Sequence, residues 1–191
     1  MKIEISPACL LLGAVLFFDN SRGFLATTLA MLLHELGHIL AARMLHIKIK
    51  RLSFDVFGAK ITTNGVYSYG KEAWLALGGP VFSLLLSLCL FPFKGGFSLS
   101  LAATSLSLGI FNLLPIDSFD GGRVLHAVLA HRLSADRVAG VLAFTSYLSL
   151  FFLFLLASCV LLRFGESLSL AVLCAHLFAK IFLAKERGPT A

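Results

Sequence analysis

The sequence predicts an all-α polytopic membrane protein, with about six transmembrane helices and a small β-hairpin element between the second and third. Composition points there first. Of 191 residues, 58% are hydrophobic and only 14% charged, whereas a soluble domain is about 45–50% apolar and about 25% charged. So few charges do not cover a soluble surface, and Pro (5) and Cys (4) are too scarce for a collagen-like or disulfide-rich scaffold. Several apolar runs also reach the roughly 20 residues that a helix needs to cross a bilayer. Finally, with both termini placed in the cytoplasm, 13 of the 16 Lys and Arg residues fall on that side, and only Arg22, Lys94 and Arg163 fall opposite. The net charge of +6 is therefore a topology signal, and no basic stretch interleaved with aromatics points to nucleic acid.

Taken in order, the first segment spans about 5–19 and is short. Lys2 and Glu4 before it and Asp19-Asn20 after it do not suit a cleaved signal peptide. The second spans about 24–45. In the polar stretch that follows, Leu52, Phe54 and Val56 alternate with Ser53 and Asp55, a period of two that predicts a strand, and Asn64-Gly65 is a hairpin signal. An exposed strand edge here would pair with an extended polypeptide; the competing account is a plain amphipathic connector on the membrane surface. The third segment spans about 72–93, with Tyr67, Tyr69 and Trp74 as an interfacial belt near its start. The remaining segments span about 97–115, 138–162 and 167–184. The cysteines, Cys9, Cys89, Cys159 and Cys174, lie in four different segments with no C-x-x-C pair, which predicts small buried side chains at helix contacts and no disulfide. Residues 1–191 read as one domain ending in a frayed tail.

His34-Glu35-Leu36-Gly37-His38 places ionisable residues inside the second segment, where charged types cost about 2.5–3.5 kcal/mol each at a helix centre. The i, i+4 spacing puts both imidazoles on one face, a turn apart, so that they reach one metal ion. Glu35 is then placed to take a proton from a water at the open coordination position and pass it to a leaving amine. This H-E-x-x-H pattern is the metallopeptidase signature. The alternative is a pair of histidines hydrogen-bonded to neighbouring helices, with Glu35 buried as a neutral acid. Gly37 permits close helix approach. Two histidines leave zinc one protein ligand short, and the candidate is Asp120, where Pro115 interrupts an apolar helix and Asp120-Gly121-Gly122 begins a new one. Irregular backbone at that depth is tolerated where it lines a protein cavity.

Together these motifs resemble the site-2 protease family of intramembrane zinc metalloproteases, which pair H-E-x-x-H in one transmembrane helix with N-x-x-P-x-x-x-[LF]-D-G in a later one. The resemblance covers about 24–125. It implies Zn2+ held by His34, His38 and Asp120, Glu35 as general base and acid, and Asn112 near the bound substrate strand or the active-site water. It also implies cleavage of membrane-embedded or membrane-associated protein substrates near the cytoplasmic face, in a multi-pass protein of a bacterial cell membrane, with a membrane-protein regulator as a further partner. With no room for a PDZ insert or a CBS domain, the chain is similar to the minimal core of the family's stage IV sporulation protein FB type, which processes a pro-sigma factor.

The pattern is not followed throughout. Leu77-Gly78-Gly79-Pro80-Val81-Phe82-Ser83 resembles the family's glycine-proline element, with Ser83 in place of the usual asparagine. Ser118 stands where proline is common, and Asp117 adds a second carboxylate near the ligand, as a competitor for the metal or a cap. The rival class is a non-catalytic membrane protein that binds or transports metal, or a pseudoprotease that binds transmembrane helices. A transporter should repeat polar residues along several spans, and a pseudoprotease should have lost Glu35 or a ligand. Glu72 and Glu166 have no motif supporting either as a third ligand. His46, His126 and His131 read as interfacial, and His176 as an interhelical hydrogen-bonding residue.

Overall fold

Three helices of the computed structural model are long and apolar enough to cross a membrane: Gly23–Met44, Tyr69–Leu90 and Ala135–Leu156. The structure describes residues 2–5, 21–55, 58–63 and 68–164. In chain order the elements are β1 (Lys2–Ile5), α1 (Ser21–Met44), β2 (Ile49–Asp55), β3 (Gly58–Thr63), α2 (Tyr69–Leu90), α3 (Gly96–Asn112), α4 (Asp120–Ala130) and α5 (Ala135–Phe164). The described residues thus hold three candidate spans rather than six. The expected first segment, apart from Ile5, and the whole of the sixth lie outside them. The expected fourth segment is α3, which stops at Asn112 after 17 residues and spans only about 25 Å at 1.5 Å per residue. Pro115 explains the early stop, because the residue before a proline is disfavoured in the helical region and helices usually end at or before it.

Helix α1 is built inside out relative to a helix of a soluble bundle. On α1, Ala26, Ala30, His34, His38 and Ala42 face inward, while Leu25, Leu29, Leu32, Leu36 and Leu40 are exposed. On α5, Val138, Leu142, Ser146, Leu150 and Leu153 are buried, and Phe144, Leu148, Phe151 and Leu155 point out. On α1, small and polar residues lie inside and large apolar ones outside, and both helices turn leucine and phenylalanine outward, the pattern of helices solvated by lipid. This is an integral membrane protein. Cys89 and Cys159 are also exposed, not buried at helix contacts as expected.

Helix α2 is the hub and packs against α1, α3 and α4. Ser68 caps its start, accepting at Oγ from the Lys71 N–H at 3.5 Å. Helix α1 ends in a left-handed residue, His46 (φ 57°), with Ile47 N–H donating to Ala42 O at 2.8 Å and His46 N–H to Arg43 O at 3.1 Å. That is a Schellman closure with histidine in the position glycine usually takes. Lys71 Nζ donates to Leu45 O at 3.3 Å, so the end of α1 and the start of α2 lie side by side. Between them in the chain lie β2 and β3, which with the N-terminal β1 form a sheet of order β1-β2-β3, β1 parallel to β2 and β2 antiparallel to β3. The chain reverses between the paired residues Asp55 and Gly58, ahead of Asn64-Gly65, which lies outside the described residues.

Candidate metal centre

His34 and His38 lie one turn apart on α1 with ring centroids 5.0 Å apart, and each is only 3% exposed. Helix α2 crosses closely here because both helices offer glycine. A Cβ at Gly37 would lie 2.6 Å from Phe82 Cβ, and one at Gly78 would lie 2.6 Å from Ala41 Cβ. The crossing brings two groups of α2 onto the rings. Ser83 Oγ lies 2.9 Å from His34 Nδ1 and Leu75 O lies 2.8 Å from His38 Nδ1. A carbonyl only accepts, so Nδ1 of His38 carries the proton, and the neutral ring offers its Nε2 lone pair on the other side. The Gly79 N–H, 3.3 Å from the same Nδ1, is then a close approach without a bond.

Asp120 arrives from the opposite direction, in the first turn of α4, where the helix dipole favours a carboxylate. Its Oδ2 lies 3.2 Å from His34 Nε2 and 3.1 Å from His38 Nε2, and its Oδ1 lies 3.6 Å from Arg123 Nη1. Two imidazole nitrogens and a carboxylate oxygen converge in a buried place, and with their lone pairs turned inward such a set of acceptors calls for a cation.

The donor set fits zinc. Nitrogen and oxygen ligands about 2.0–2.2 Å from a tetrahedral ion lie about 3.3 Å from one another, close to the 3.1 and 3.2 Å seen here. Gly79 keeps this side open: a Cβ there would lie 2.6 Å from His34 Nε2 and meet His38 Nε2 as well. Glu35 is also buried, and one of its carboxylate oxygens lies within 4.8 Å of a nitrogen on each histidine. Both carboxylates thus border the nitrogens, and Asp120 is within hydrogen-bonding distance of both.

Other residues singled out in the sequence lie apart from this cluster. Asn112 is half-buried at the end of α3, and its amide donates to Leu108 O one turn back at 3.0 Å. Among the described residues, no hydrogen bond ties it to the histidines. Asp117 and Ser118 are exposed. The Asp117 backbone N–H donates to Ser146 Oγ at 3.0 Å, so it belongs to the loop's attachment to α5. His126 stacks edge-on at 6.5 Å from Tyr69, and His46 and His131 are exposed. Sequence reasoning missed the Leu75 carbonyl and took Ser83 only as a departure from a pattern. The available signal was spacing: Leu75, Gly79 and Ser83 recur every four residues and share one face of α2.

The model of a family described as peptidase family M50 matches residues 95–156, from α3 into α5. Zinc metalloprotease MJ0392 of Methanocaldococcus jannaschii is 28% identical over 118 residues, which is 57% of this chain and 34% of that protein. Rip3 of Mycobacterium tuberculosis, whose name assigns it provisionally to the zinc metalloproteases, is 31% identical over 146 residues, 67% of this chain and 36% of its own length. The chain spans about a third of the length of these relatives. Among solved structures, the site-2 protease from Methanocaldococcus jannaschii superposes with a TM-score of 0.70 at 20% identity, covering 99% of this chain and 91% of that one. At that identity the likeness is one of fold.

Proposed function

The chain belongs to the site-2 protease family, peptidase family M50, and on that premise we propose that it is an intramembrane zinc endopeptidase acting on membrane-embedded or membrane-associated proteins. The observation that carries this reading is the meeting of Asp120 Oδ2 with the Nε2 atoms of His34 and His38. In this reading His34, His38 and Asp120 hold zinc, whose presence supplies Lewis acidity toward the scissile carbonyl and lowers the pKa of a water to about 7.

The protein's own groups do the rest. Leu75 O and Ser83 Oγ orient the two imidazoles through their Nδ1 atoms. Glu35, next to His34 on the same buried turn, accepts the proton of the attacking water and returns it to the new amine. The apolar surroundings keep other water away, which strengthens each of these electrostatic contacts. In this reading Asn112 lies near the substrate strand, as its match to the family motif implies. A substrate helix must unwind before its peptide bond is accessible, and an edge strand of the sheet of β1, β2 and β3 would hold it extended. The charge bias favours both termini in the cytoplasm, and in this reading cleavage takes place near the cytoplasmic face. Processing of a membrane-associated pro-sigma factor, with a membrane-protein regulator, is the specific form suggested by the sporulation-type resemblance.

Co-expression with a membrane-anchored substrate tests the reading. Replacing Glu35→Gln should reduce cleavage by about 10²–10⁴-fold, the usual contribution of a general base, while zinc content is retained. Asp120→Ala should lose zinc. Cleavage by Glu35→Gln at the wild-type rate would overturn the chemistry, and full zinc affinity in Asp120→Ala would overturn the ligand set. The same assay with a pro-sigma substrate tests the narrower form.

A further inference from the structure

We infer that Ser83 is a positioning residue for His34, an inference that rests on the zinc centre proposed above. Ser83 is 1% exposed, and its Oγ lies 2.9 Å from His34 Nδ1. The two histidines are held by different devices. His38 is held by a main-chain carbonyl, Leu75 O at 2.8 Å, which no side-chain substitution removes and which admits only one tautomer. His34 is held by a hydroxyl that both donates and accepts. With Nε2 of His34, which faces Asp120 Oδ2 at 3.2 Å, given over to the zinc, the ring's proton sits on Nδ1, and Ser83 Oγ is its acceptor.

A hydroxyl suits this place because the helices cross closely, with Gly37 against Gly78 and Phe82. Ser83 lies one turn beyond Gly79 on the same face of α2, so one row of small residues both leaves space at the Nε2 atoms and supplies the acceptor behind one ring. The orientation of His34, and with it one zinc bond, therefore depends on a single exchangeable side chain. Partners of this kind behind metal-ligating histidines change metal affinity by about 10–100-fold when removed.

The test is zinc affinity of the purified full chain in detergent, measured by chelator competition, together with the visible absorption spectrum of the Co2+-substituted protein. Ser83→Ala should weaken zinc binding by about 10–100-fold and shift the Co2+ bands, while Ser83→Thr, which keeps a hydroxyl, should stay within about threefold of wild type. Ser87→Ala, the same truncation at a buried position one turn along, should change neither. The inference is overturned if Ser83→Ala keeps wild-type affinity and spectrum, if Ser83→Thr falls as far as Ser83→Ala, or if Ser87→Ala loses as much, which would make the effect one of packing. If the wild-type chain itself binds no zinc, the metal centre falls and this inference falls with it. Wild-type binding with an unchanged Ser83→Ala removes this inference alone.

Discussion

Gly79 has the least freedom of any residue around the two histidines. A methyl group there would press on the Nε2 atoms of both, and neither can retreat, because the Nδ1 sides are tied to Ser83 and Leu75. Gly79→Ala should therefore abolish zinc retention in equilibrium dialysis even where the protein still inserts and folds. At Gly70, in the first turn of the same helix, a methyl group would meet nothing within 4 Å. Gly70→Ala should be tolerated and should stabilise α2 slightly, by less than the roughly 0.5–1 kcal/mol that separates the two residues in a helix interior, read as an unchanged or slightly raised Tm in detergent. The histidine pair and Glu35 are legible in the sequence because i, i+4 spacing on a helix is local geometry. The clearance at Gly79 is not, since it depends on a second helix 41 residues away along the chain.

Asp120 opens α4, but α5 steadies the loop that leads to it. Ile116 is fully buried against Leu150 of α5, with Leu114 and Phe119 packed around them, and Ser146 Oγ accepts from the Asp117 N–H. Truncating Leu150→Ala should cost about 2–5 kcal/mol, as core leucine truncations do, and should weaken zinc binding by displacing Asp120 without touching a ligand. Ser146→Ala, which removes one hydrogen bond from a half-buried N–H, should cost about 1 kcal/mol. Thermal unfolding followed with and without added zinc checks both, since a loop effect reduces the zinc-dependent gain in Tm. The break at Pro115 and the new helix at Asp120 were readable from residue types. That α5 supports the loop through Ser146 was not, because a serine inside an apolar run carries no sequence mark of its partner.

Across the whole molecule, lipid takes the part that a hydrophobic core plays in a soluble protein. The leucine stripe of α1 lies outside, with Leu32 52% exposed near the middle of the Gly23–Met44 span. Leu32→Lys should cost about 2.5–3.5 kcal/mol on membrane insertion, seen as reduced membrane-integrated yield, whereas Leu32→Phe should integrate normally. A yield unaffected by lysine would mean that this face meets water or protein instead of lipid.

Membrane class, the histidine face of α1 and the helix break before Asp120 were determined by the sequence alone, because each follows from composition, from the 3.6-residue period or from the constraints of proline. The count of spans did not follow as directly: an apolar run of the right length about 97–115 becomes a 17-residue helix, α3, once the backbone must turn toward Asp120. Only the tertiary structure decided which carboxylate meets both nitrogens and what stands behind each ring. Those contacts join residues 34, 38, 75, 83 and 120 from three helices, and the ones between α1 and α2 exist because small residues let these two helices approach closely.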